Sequence, residues 1–161
     1  YQREGGIFAL VVPFTFSTLS AARPRIALLD RCAPVADLMR RVVILEIDGL
    51  DAGVPSGRLS ETVAMVRPFF RSLMLQVSSA ALLTRAMREH AFGGLTINVP
   101  RIGGGSASLG SLIRAARKYS PNIMALGLRG RSNDEALRAS GVSHISCLED
   151  GGRQPPPSPH A

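Results

Sequence analysis

The chain has no tryptophan, two tyrosines and six phenylalanines, too few aromatics to interleave with basic residues as a stacking surface for nucleic acid. No recognisable nucleic-acid motif is present either, so a nucleic-acid partner is not expected. Only two cysteines occur, Cys32 and Cys147, far apart and outside any CxxC or Cys/His cluster. That excludes a disulfide framework and a thiolate metal site, and points to reduced thiols and a cytoplasmic location. Long hydrophobic runs are also missing. The longest, residues 7–16, is broken by Pro13 and falls well short of the ~20 residues that span a bilayer. There is no basic n-region to open a signal peptide, and the first residue, Tyr1, suggests a piece of a longer protein. Lysine is nearly absent. All of the 19 basic residues except Lys118 are arginines, spread from Arg3 to Arg153, which argues against a basic tail. The net charge of +7 favours the approach of anions without selecting one.

What the chain does contain is aliphatic. A hydrophobic content of 45% in 161 residues fits one globular domain, expected over residues 1–150. The tail 151–161, with Pro155-Pro156-Pro157, has nothing to bury and is expected to be disordered or polyproline-like. Within the domain, short apolar runs alternate with amphipathic stretches, the pattern of βαβ units and a parallel sheet buried on both faces. Strands are predicted at 7–14, 42–47, 73–77, 95–99, 123–128 and 143–146. Helices are predicted at 33–40, 59–70, 80–90, 109–119 and 134–139, with Pro34 confined to a first turn and Pro68 ending or kinking its helix. Ser79, Ser108 and Asn133 stand where N-caps belong, and Gly93 and Gly141 where helices close. About six βα units are too few to close an eight-stranded barrel. The fold class expected is therefore α/β, an incomplete or degenerate TIM-barrel-like (β/α) fold.

The segment Ala125-Leu126-Gly127-Leu128-Arg129, followed by a short helix and Gly141-Val142-Ser143-His144, resembles the late part of EAL domains, the cyclic-di-GMP phosphodiesterases of bacterial signalling. In that family a strand ending A-E-G-V-E stands there. Leu45-Glu46-Ile47-Asp48-Gly49 resembles the family's L-E-I-T-E strand, and Pro13-Phe14-Thr15-Phe16-Ser17 with Leu19 its N-L-S strand. Leu73-Met74-Leu75-Gln76-Val77 takes the place of the strand bearing D-D-F-G, and Leu95-Thr96-Ile97-Asn98 that of L-K-I-D. The succession covers residues 7–147, and the name-giving E-A-L strand is not in it.

The resemblance implies an EAL-like fold, and it implies that hydrolysis needs carboxylates at strand ends to hold divalent metals. Set position by position, most of them are gone. Thr15 replaces the asparagine of N-L-S, Gly49 the second glutamate of L-E-I-T-E, and Gln76 and Val77 the aspartate pair. Thr96 replaces the lysine, Asn98 the aspartate beside it, and Leu126 and Arg129 the glutamates of A-E-G-V-E. Glu46 alone survives, Asp48 stands near it, and no acidic residue lies between 62 and 88. No catalytic residue, metal ligand or cofactor is therefore assigned, and an enzyme is not expected.

The residues singled out for ligand binding are Arg101, Gly103, Gly104, Gly105, Ser106, Arg129 and Glu46. The loop 101–106 offers N–H groups to a phosphate. It matches neither the P-loop nor the dinucleotide fingerprint, so a plain βα loop is the preferred account. For Glu46 the preferred account is structural pairing with an arginine at the sheet's mouth. Arg129 stands equally for a phosphate contact or for neutralising Glu46. His90 and His144 have no acid or nucleophile spaced to form a triad and are read as structural. The function expected is a non-catalytic signalling or regulatory module, docking on a protein partner or adjacent domain, or forming a homodimer through its uncovered sheet edges. The alternative is an effector that binds cyclic-di-GMP, or a related nucleotide, without hydrolysing it. An active enzyme of another barrel chemistry lacks a visible nucleophile-base pair.

Overall fold

The computed structural model describes residues 9–83, 92–102, 105–129 and 134–148, without the side chains of residues 105, 106, 129, 147 and 148. Six strands form one sheet: β1 (Leu10–Thr15), β2 (Val43–Asp48), β3 (Ser72–Gln76), β4 (Gly94–Asn98), β5 (Ile123–Arg129) and β6 (His144–Leu148). They lie in the order β1-β2-β3-β4-β5-β6 and every neighbouring pair is parallel. The sheet curls into a half-barrel, compatible with part of a TIM-barrel-like fold. All six strands predicted from the sequence are present, with ends shifted by up to three residues.

Register explains which face is dry. Leu45 sits beside Val12 and Leu73, Leu75 beside Leu95, Leu95 beside Ile123, and Ala125 beside Ile145. Because side chains alternate along a strand, these residues share one face. It is the core: Leu45, Ile47, Leu75, Ile97, Ile123 and Ala125 are fully buried and cluster with the inward residues of the helices.

The helices among the described residues are α1 (Phe16–Ser20), α2 (Ala22–Cys32), α3 (Ala36–Val42), α4 (Ser56–Val66), α5 (Gly105–Ala116) and α6 (Asp134–Ser140). Helix α4 buries Leu59, Thr62, Val63 and Val66, spaced three and four apart as one helical face requires. Pro68 ends it through the 3₁₀ turn Arg67–Phe69, and Pro34 sits in the first turn of the 3₁₀ segment Ala33–Val35 ahead of α3. Helix α5 starts four residues earlier than its hydrophobic spacing predicted, so Ser108 lies inside it rather than capping it. Gly141 closes α6 at φ 106, with its N–H donating to Arg138 O and that of Val142 to Leu137 O. Gly93 has no positive φ and serves differently: a Cβ there would lie 2.0 Å from Ser72 Oγ, so the glycine lets β4 approach β3.

Two helices escaped the sequence reading. Thr15 opens α1 by accepting from Thr18 N, and Arg25 Nη1 donates to Leu19 O at 2.9 Å and Ser20 O at 3.3 Å, satisfying carbonyls that α1 leaves open. These are polar, local devices that no apolar periodicity announces. Of the helix predicted over 80–90, residues 80–83 are described, as the 3₁₀ turn Ala80–Leu82 and Leu83 after it; residues 84–90, Asn133 and the tail lie outside the described residues. No helix among the described residues is long and apolar enough to cross a membrane.

Candidate functional site at the mouth of the sheet

The face opposite the core carries the polar residues. Glu46 on β2, Gln76 on β3 and Thr96 on β4 have the same side-chain parity, and all three are buried. Glu46 Oε1 accepts from Gln76 Nε2 at 2.6 Å and from Thr96 Oγ1 at 3.0 Å. Three polar groups thus satisfy one another in a place that would penalise each alone.

The chain of contacts continues to the surface. Gln76 presents its other amide atom, Oε1, to Arg101 Nη1 at 3.0 Å. The same nitrogen lies 3.0 and 2.8 Å from the two Asp48 carboxylate oxygens. Asp48 Oδ1 also accepts from the Gly49 N–H. Arg101 ends the 3₁₀ turn Val99–Arg101 after β4, so its ion pair with Asp48 passes over the end of β3 and ties the exits of β2 and β4 together.

Arg101 follows a closely packed proline. Pro100 packs on Gly127, which has φ 75 and sits where β5 shifts register between Leu126 and Leu128. A Cβ at Gly127 would stand 2.9 Å from Pro100 Cδ, so only glycine gives both the left-handed conformation and the room for the ring. Beyond the turn, Ser78, Ser79, Ser108 and Ser111, with Ala80, Ile102 and Leu112, line an open hollow of about 320 Å³.

Of the residues singled out from sequence, Glu46 and Arg101 are brought into one network, linked through Gln76. Gly103 and Gly104 lie outside the described residues. Gly105 and Ser106 open α5, and Arg129 ends β5, with no described side chains. Among the described residues, whose side chains do not include that of Arg129, the partners of Glu46 are an amide and a hydroxyl, and Arg101 stands one amide further out. Depth is the reason. Gln76 and Thr96 project toward Glu46 from the next two strands, whereas Arg101 leaves the sheet after β4 and meets Asp48, nearer the surface, first.

Gln76, Thr96 and Asp48 were not chosen from sequence as site residues. Their signal was present, since each is a polar residue at an even-numbered position of a strand whose odd-numbered positions are all apolar. His144 stays exposed at the start of β6, with Nδ1 3.0 Å from Ser143 Oγ. Among the described residues, no three His, Cys, Asp or Glu stand together in a group that could hold a metal ion. Comparison with protein families, with curated proteins and with solved structures finds no match.

Proposed function

We propose that this chain is a non-catalytic docking module of EAL-like half-barrel fold, working by covering its open sheet against a protein, in the first instance a second copy of itself. The observation that carries the reading is the open sheet. Among the described residues, six parallel strands leave β1 and β6 as edges, and the face opposite the core keeps Val11, Ile44, Met124 and Leu126 half-exposed. Parallel sheets ordinarily have both faces covered, and open edges and apolar faces invite a partner.

The two edges differ. Pro13 lies in β1, and a proline suits an edge strand while discouraging further strand pairing. The segment His144–Leu148 has no proline, so β6 is the edge fitted to pair with another strand. Two β6 edges related by a twofold axis would run antiparallel and join two half-barrels into one continuous sheet.

The non-catalytic part of the reading draws on the donor set at the mouth. Glu46 is held by Gln76 and Thr96, and Asp48 by Arg101 and the Gly49 N–H. Of the carboxylates that the resembled family is implied to use for metal binding, Glu46 alone is left, with Asp48 near it, and both are engaged by hydrogen-bond donors. Sedimentation equilibrium across a range of protein concentrations tests the docking reading, with a monomer-dimer equilibrium expected. A monomer at every concentration would remove self-association. Saturable heat on titrating cyclic-di-GMP would favour the nucleotide effector instead.

A further inference from the structure

We infer that Arg101 is a preorganised oxyanion-recognition residue at the C-terminal mouth of the sheet, taking the phosphate or carboxylate group of a small ligand on the guanidinium edge that no described residue engages. The inference is independent of the docking reading. Its first support is a contrast between exposure and restraint. The Arg101 side chain is 58% exposed, yet one nitrogen, Nη1, is fixed by both Asp48 oxygens and by Gln76 Oε1. Nε and Nη2 make no hydrogen bond to any described residue. These two atoms form the edge of the guanidinium plane whose parallel N–H groups match the two oxygens of a carboxylate or phosphate.

The second support lies behind the side chain. Gln76 is oriented by Glu46, and Glu46 by Thr96, so the acceptor steadying Arg101 is itself fixed through three strands. On the other side the Pro100 ring is seated on the Gly127 bulge. Bulges recur where a strand end re-aims a neighbouring side chain. An exposed arginine ordinarily gives up its rotamer freedom when it binds; here most of that loss is taken at folding.

The third support is position. The C-terminal ends of parallel strands are where such sheets bind ligands, and Ile102, next in the chain, lines the serine-walled hollow. Hydroxyls there would serve the remainder of a ligand anchored on Arg101. Asp48 cancels much of the arginine's charge, so recognition rests on oriented hydrogen bonds more than on long-range attraction. Affinity for a bare oxyanion is accordingly expected in the millimolar range, about 1 mM, and only weakly salt-dependent.

The test uses the intact chain and the NMR signals of arginine Nε–H groups, titrated with sodium phosphate and separately with sodium acetate at constant ionic strength. Arg101 should shift and saturate, whereas the exposed Arg23, Arg31 and Arg41 should drift without saturating. Whichever salt saturates Arg101 at lower concentration identifies the oxyanion it takes. Arg101→Gln should leave the chain folded and abolish the saturable shift of the Ile102 backbone N–H, a reporter that the substitution does not remove. Pro100→Ala, which keeps the guanidinium but loosens its seat, should raise the half-saturation concentration by about threefold or more. Arg101 drifting like the other three in both salts would overturn the inference, and an unchanged Pro100→Ala response would overturn its preorganisation.

Discussion

Replacing Glu46 by alanine is the sharpest perturbation of the mouth. The substitution strips the acceptor from Gln76 Nε2 and Thr96 Oγ1 and leaves both donors where water hardly reaches, since Gln76 is 8% exposed and Thr96 0%. An unsatisfied buried donor costs about 1–3 kcal/mol, so two cost about 2–6 kcal/mol. Loss of one buried methylene adds about 0.8 kcal/mol. Small domains are stable by only about 5–15 kcal/mol, so Glu46→Ala should remove a large share of the total. Glu46→Gln keeps a carbonyl oxygen for the same two donors. It forfeits charge assistance but relieves the desolvation of a buried charge, and should fall within about 1.5 kcal/mol of the parent. Urea unfolding followed by circular dichroism reads both. Adding Thr96→Val should cost about 1 kcal/mol less in the Glu46→Ala background than in the parent. A loss below about 1 kcal/mol for Glu46→Ala, or equal losses for the alanine and glutamine variants, would refute the network as the reason these groups are buried.

Two glycines should respond with opposite signs. Gly127→Ala forces a side chain into a φ of 75 and against Pro100, and should destabilise by about 1–3 kcal/mol in thermal unfolding. Gly110→Ala lies inside α5 with its nearest neighbour, Arg114 Nη1, at 3.6 Å, and should stabilise by about 0.5–1 kcal/mol. Burial pushes the Cys32 thiol up from its ordinary range. In a Cys147→Ser background, alkylation by iodoacetamide at pH 8 should be at least about tenfold slower in the folded chain than in urea; equal rates would contradict the burial. The sign of the linked stability follows, because the folded thiol holds its proton to higher pH than the unfolded one. Cys32 therefore favours folding below the ordinary thiol range, and that contribution is lost as pH rises through it toward the raised value.

The sequence by itself determined the kinds of element and their order, because the signals are local. An apolar run such as Leu73-Met74-Leu75 reads as a buried strand wherever it sits, and the spacing of Leu59, Thr62, Val63 and Val66 makes one helical face before any partner exists. Gly141 after α6 and Pro68 after α4 act on their own backbone, so they too were legible. Helices α1 and α2 were not: the Thr15 cap and the Arg25 contacts to Leu19 O and Ser20 O fix the two ends of α1, and α2, without a side-chain N-cap, buries only Cys32. The mouth was legible only in part. Glu46 and Arg101 were picked out as unusual, but their partners are 25, 30, 50 and 53 residues away in the chain. Only the parallel register of β2, β3 and β4 puts Glu46, Gln76 and Thr96 on one face, and a slip of a single residue would turn one of them into the core. What tertiary structure decided was which polar groups meet, because a hydrogen bond requires position and direction within a few tenths of an ångström, and pattern along a chain carries neither.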